Sequence, residues 1–190
     1  NPVNFLQSLS YILQDDGQLI IAVPNAEYQM QVGDPGLFLY EHLSYFTKSS
    51  LNNIFQMASL EIIEFKESIG DLYITAKKSK KALNNYNESN QDPLLQYSNQ
   101  LNNRINQFKK NTKGINRLGI WGACGTAVNL FEMIKLKDYT IFDSDEYKVG
   151  KSISGLNGIV YNPTMHNIVE RVDSVCVIPI GAHKVISKVL

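Results

Sequence analysis

From Ile115 to the end of the chain, short apolar runs alternate with helix-like patterns, and this alternation limits the fold more than any other feature. RLGIW reads as a strand, Gly122-Ala-Cys-Gly125 as a turn and TAVNLFEMI as a helix. YTIFD and the short GIVYNP read as further strands, HNIVERV as a helix, SVCVIPI as a strand and AHKVISKVL as a closing helix. Strands separated by helices form a mainly parallel sheet, because a parallel neighbour needs a crossover that a helix supplies. A small Rossmann-like α/β domain is expected here, preceded by one long helix from Pro93 to about Lys110. On that helix Leu94, Leu95, Tyr97, Leu101, Ile105 and Phe108 recur at helical spacing.

The first 78 residues follow a different plan, helix, strand, helix, strand, strand. Residues 3–13 set Phe5, Leu9, Ile12 and Leu13 on one helical face. Asp15-Asp16-Gly17 makes a turn, and QLIIAVP is an apolar run suited to a strand inside a sheet. Pro24-Asn25 ends it, and a loop carrying Gly33, Asp34, Pro35 and Gly36 leads to FLYEHLSYF. Ser or Thr among Thr47-Lys48-Ser49-Ser50 caps the next helix. LEIIEFKES and DLYITAKK then pair around Ile69-Gly70, with Leu72, Ile74 and Ala76 on one side. Residues 79–92, rich in Lys, Ser and Asn, read as a linker between a domain at 1–78 and a second at 93–190.

Composition removes several functions. An apolar fraction of 44% can form a core, and eighteen basic residues balance eighteen acidic ones. Nucleic-acid and anionic-membrane binders carry a basic excess, so neither partner is expected. No apolar run is long enough to span a bilayer. Cys124 and Cys176 match no zinc spacing, so no metal site is expected, and they suit free thiols in a reducing cytoplasm. The chain starts inside an amphipathic helix without an initiator Met, as a piece of a longer protein would.

FLQSLSYILQDDGQLIIAVPN at 5–25, then Glu41-His42-Leu43-Ser44-Tyr45-Phe46-Thr47 with Leu51, then ASLEIIEFKESIGDLYITAKK, together resemble the C-terminal half of class I S-adenosylmethionine-dependent methyltransferases. The resemblance covers residues 2–78 and makes QLIIAVP the fifth strand of a seven-stranded sheet, with the last two runs as its closing pair. It implies S-adenosylmethionine as cofactor of the intact protein. The glycine-rich turn and acidic strand end that bind it in this fold do not precede Gly17, so the chain by itself is expected not to methylate.

The two-part layout resembles the sugar-nucleotide C-methyltransferases of bacterial type. There GIWGACGTAVNLF, then Phe142-Asp143-Ser144-Asp145 with Lys148 and Gly150, then Ser154-Gly155 and Ile159-Val160 follow the family's second domain over residues 116–183. This implies methyl transfer to a sugar or sugar nucleotide, as in surface-polysaccharide biosynthesis. A histidine beside a carboxylate can take a proton from such an acceptor, which makes His42 and Glu41 the catalytic candidates. The family carries Tyr-x-Glu-His in its site, whereas this sequence reads Leu39-Tyr40-Glu41-His42, with Tyr40 displaced by one position. A purely structural Glu-His that fixes the loop and caps the next helix fits the same residues.

Gly122 and Gly125 open a turn where backbone amides and a helix N-terminus could receive a phosphate, and Asp143 ends the next strand where a ribose hydroxyl could bind. Ile120 stands where a dinucleotide fingerprint has its first glycine, and no Tyr-x-x-x-Lys pair follows, which disfavours an NAD-dependent reductase. Close strand–helix packing explains the same glycines, and an Asx turn the same aspartates. His183 follows SVCVIPI at the carboxyl end of a strand and is a further candidate substrate contact. The competing function is a non-catalytic module that binds a nucleotide or nucleotide sugar.

Overall fold

The computed structural model describes residues 1–39, 42–68, 70–79 and 93–178. They belong to two compact units, one of Asn1–Gln31 and His42–Gln96, the other of Val32–Glu41 and Tyr97–Leu190. The architecture is mixed α/β, with an antiparallel three-stranded sheet and a parallel four-stranded one. Tyr40, Glu41, Ile69, residues 80–92 of the expected linker, and His183 with the expected closing helix lie outside the described residues.

In the first unit α1 (Pro2–Ile12) starts at Asn1, whose side-chain oxygen accepts from the Val3 and Asn4 amides, with Pro2 in the first turn. β1 (Gln18–Pro24) follows the Asp-Asp-Gly turn. The loop expected after Pro24 is instead a short helix, α2 (Ala26–Val32), started by Asn25, which accepts from the Tyr28 amide. α3 (Lys48–Met57) opens on Thr47, whose hydroxyl accepts from the Ser50 amide while Ser50 Oγ accepts from the Thr47 amide. β2 (Leu60–Glu67) and β3 (Asp71–Lys78) form the hairpin, and the sheet order is β1-β3-β2.

The second hairpin strand therefore sits between the other two, with Ile74 opposite Ile21 on one side and Phe65 on the other. Leu72, Ile74 and Ala76 are buried on one face as the alternation required, together with Leu6, Leu51, Phe55 and Leu60. Each such Leu, Ile or Phe contributes about 1.5–3 kcal/mol by leaving water. The stripe expected on α1 is not the buried one. Leu6 is the buried residue of that helix, and Leu13 packs partly on the core, whereas Phe5 and Ile12 are exposed.

In the second unit α4 (Pro93–Thr112), which belongs to it from Tyr97 on, precedes β4 (Leu118–Trp121), α5 (Gly125–Ile134), β5 (Thr140–Phe142), β6 (Val160–Tyr161), α6 (Met165–Arg171) and β7 (Ser174–Val177). All pairings are parallel, in the order β6-β5-β4-β7. Numbered within this sheet the order is 3-2-1-4, so the direction in which strands are added reverses beside β4. Every residue of β4 is buried. One face of the sheet packs on Ala127, Leu130 and Phe131 of α5, and the other on Ile168 and Val172 near α6. Trp121 belongs to this second cluster, so it is core and not a stacking platform. On α4 only Tyr97 is fully buried. Ile105 and Phe108 pack partly on the core, while Leu94 and Leu95 remain exposed.

Candidate functional site

At the carboxyl end of β4 the chain turns through Gly122, whose φ of +124° suits glycine, and its amide donates to the Phe142 carbonyl at 2.8 Å. The Ala123 amide donates to Asp143 Oδ2 at 2.9 Å. Asp143 Oδ1 accepts from the Asp145 amide at 2.9 Å, and Lys148 Nζ donates to Oδ2 at 3.1 Å. The structure thus places Asp143 beside the turn that holds Gly122. Asp143 spends its carboxylate on its own turn and on the turn after β4, and Asp145 forms the expected Asx arrangement by accepting from the Tyr147 amide. Gly125 opens α5 behind Cys124, which supplies no side-chain cap.

A second feature of this unit was not legible in the sequence. Residues 33–37, read as a glycine–proline loop, are buried without interruption, and Leu37 is fully enclosed. A buried loop must find partners for its backbone away from water. Arg104 Nε donates to the Val32 carbonyl at 2.7 Å and the Tyr97 hydroxyl to that of Asp34 at 3.0 Å. Asn129 Nδ2 donates to the carbonyls of Pro35 at 3.1 Å and Phe38 at 3.3 Å. Asp34 Oδ1 accepts from the Gly36 amide, and its backbone carbonyl also accepts from the Leu37 amide.

The close approach depends on small residues. A Cβ on Gly33, whose φ is +63°, would lie 2.4 Å from the Gln100 carbonyl carbon, and one on Gly36 would lie 2.2 Å from Thr126 Oγ1. Leu39 comes against Gly125 at the start of α5. Burial, with the Asp34 charge adding to it, pushes the Tyr97 hydroxyl up to about 12. The one sequence signal for this arrangement was Asn129, a lone amide in the otherwise apolar stretch TAVNLFEMI.

In the first unit His42 is half-buried and its ring meets that of Tyr45 edge-on, with centroids 6.2 Å apart. The chain then enters the Thr47 cap of α3. Lys48 donates its amide to Glu27 Oε2 at 3.1 Å and its ammonium to Glu67. That bond, and then the ammonium charge, hold the Glu67 carboxyl below its usual range. Asn25 adds a smaller lowering, although its own Nδ2 meets no acceptor in hydrogen-bond geometry despite being buried. Glu27 and Asn25 were not among the residues the sequence singled out. Their signal was the Asn-Ala-Glu that starts α2.

Elsewhere in the second unit a cavity of about 140 Å³ opens beside the end of β7, lined by Leu101, Ile105, Phe108, Cys176, Val177 and others, with Arg104 and Asp34 as its charged members. Cys124 and Cys176 are both free and half-buried, and burial raises the Cys176 thiol above its ordinary value. His166 lies on the surface of α6 beside Glu170. Among the described residues no group of His, Cys, Asp and Glu could hold a metal ion, and no helix is long and apolar enough to cross a membrane. No family model matches this chain, and no curated protein matches it either.

Proposed function

We propose that this chain is the C-terminal portion of a class I S-adenosylmethionine-dependent methyltransferase whose acceptor is a sugar or sugar nucleotide. His42 is its general base, with Glu41 as the second catalytic candidate and Tyr40 as a candidate substrate contact. One observation carries the reading. The three segments that resemble the fifth strand and the closing pair of the methyltransferase sheet are hydrogen-bonded neighbours in one sheet, with the last strand inserted between the other two. β1, apolar throughout its middle, forms an edge among the described residues, as a strand does when further strands belong beside it.

No strand followed by a glycine-rich turn and a helix occurs among the described residues of the first unit, so no residue of this chain is assigned to cofactor binding there. The chain's share of the chemistry is on the acceptor side. The imidazole of His42 accepts the proton that the acceptor loses as the methyl group arrives. In the full-length protein, His42→Ala is expected to lower methyl transfer to a nucleotide sugar by about 10²-fold, with the KM for S-adenosylmethionine unchanged. Full turnover in that variant, or no methyl transfer by the wild type to any sugar acceptor, overturns the reading.

The order β6-β5-β4-β7 favours a second reading, a module that binds a nucleotide or nucleotide sugar at the turn after β4. It requires UDP- or dTDP-sugars to bind this chain below millimolar concentration in a calorimetric titration, and Gly122→Val to abolish that binding. Silence in the wild-type titration removes it.

A further inference from the structure

We propose that the cavity beside the end of β7 is a binding site for a small monocarboxylate with an apolar body, whose carboxylate is received by Arg104. Every residue that lines it belongs to the second unit, and the site is independent of the methyl-transfer reading. Cys176, Val177 and Ile178 at the carboxyl end of β7 and Thr126 in the first turn of α5 are among its walls. They stand beside the point where the order β6-β5-β4-β7 reverses. Open α/β sheets take ligands in the crevice outside the carboxyl ends of their strands at such a point.

Size and the chemistry of the walls select the ligand. A volume of about 140 Å³ is close to the space that takes one benzene ring when Leu, Ile and Phe surround it. It is less than half of the roughly 300 Å³ at which pockets for cofactors and drug-sized ligands begin, so a nucleotide sugar is too large. Leu101, Ile105 and Phe108 of α4 and Leu130 of α5 make the interior apolar. Burial raises the Cys176 thiol, which therefore stays protonated at neutral pH. Arg104, exposed at the surface of α4, is the cation of the lining. Its Nε is spent on the Val32 carbonyl, and among the described residues no carboxylate pairs with it, which leaves its two Nη groups for an anion. Asp34, the other charged member, is buried and turns Oδ1 to the Gly36 amide of its own segment at 2.8 Å.

Benzoate and benzyl alcohol share a ring and differ in charge, so together they test the apolar interior and the cation separately. In NMR titrations of this chain at neutral pH, both are expected to move the methyl signals of Leu101, Ile105 and Leu130. Benzoate should bind at millimolar concentration and about tenfold more tightly than the alcohol, as a charge-assisted hydrogen bond implies. Arg104→Gln should bring benzoate down to the level of the alcohol. Leu101→Phe, which fills the cavity, should abolish both, while the amides of β5 and β6 keep their positions and show that the unit is folded. Benzoate should also slow the alkylation of Cys176 by N-ethylmaleimide and leave that of Cys124 unchanged. Should Leu101→Phe fail to fold, this protection decides in its place. Methyl signals that do not saturate at tens of millimolar, equal binding of the two probes, a preference for benzoate that survives in Arg104→Gln, or an unprotected Cys176 each overturn the site. Displacement of benzoate by a UDP-sugar overturns it too, because the cavity would then be part of a larger nucleotide site.

Discussion

β1 and β4 are both short apolar runs, QLIIAVP and LGIW, and they end in opposite situations. β4 lies at the centre of its sheet, paired on both sides and buried at every position. β1 is paired on one side among the described residues, and Ile20 in its middle is 69% exposed. An apolar run reports that a strand wants cover on both faces. It does not report whether that cover comes from the same stretch of chain. The contrast teaches that apolar character alone does not place a strand at the centre of its sheet: β4 has a neighbour on each side, whereas β1 has one among the described residues.

The sharpest way to break this comparison is to truncate one isoleucine in each strand. Ile120→Ala, at a fully buried position, is expected to cost about 3–4 kcal/mol in urea denaturation. Ile20→Ala should change the stability of this chain by no more than about 0.5 kcal/mol. Equal losses would mean that something already covers Ile20.

Two glycines extend the test to loops. Gly33→Ala puts a methyl group into the Gln100 backbone at a positive φ and should destabilise the second unit by about 2–3 kcal/mol. At Gly70 a Cβ meets nothing within 4 Å, so Gly70→Ala in the first unit should be close to neutral by the same measurement. A neutral Gly33→Ala would show that residues 32–39 do not hold this path in solution.

Carboxylates give a smaller contrast. Asp143, partly buried and accepting from two amides and a lysine, should lose about 1–2 kcal/mol on replacement by Asn. Glu67→Gln removes an exposed pair with Lys48 and should cost less than about 1 kcal/mol. A reversal would place the more important electrostatics in the first unit.

The second unit should also carry an alkaline pH dependence. The Tyr97 hydroxyl is raised from its ordinary 10.0 to about 12 in the folded protein. Its neutral form is thus favoured by folding, and this contribution is complete below pH 10. It is lost as pH rises from 10 towards 12, because the unfolded chain then ionises more readily. Tyr97→Phe should flatten that decline in thermal melts taken between pH 9 and 12. An unchanged decline would assign it to other groups.

Much of this could be read from residues in order. Periodicity located the long helix from Pro93, the capping residues located α3 at Thr47, and alternation chose the buried face of β3. Asp143 comes beside the Gly122 turn, accepting from the Ala123 amide, since a parallel neighbour strand returns its end to the same edge of the sheet. On α1 the same method picked Phe5 and Ile12, and the structure buried Leu6, because a short amphipathic helix offers several nearly equivalent stripes and the neighbouring elements choose among them. α2 was missed because a helix of seven residues shows less than two full turns of periodicity.

The sequence by itself determined the alternation that makes the second sheet parallel, the apolar character of β1 and β4, and the glycines where the chain turns or packs closely. Local residue type and spacing suffice for these, because they follow from backbone geometry and from which side chains avoid water. Only the tertiary structure decided that residues 33–37 are buried, that the carboxylate of Asp143 holds its own turn and its neighbour's, and that Tyr97, Arg104 and Asn129 meet the carbonyls of Val32, Asp34, Pro35 and Phe38. Those partners lie 63 to 94 residues apart in the chain. A side chain's hydrogen-bonding capacity is written in its residue type, but the carbonyl it satisfies is chosen by which segments the fold brings together.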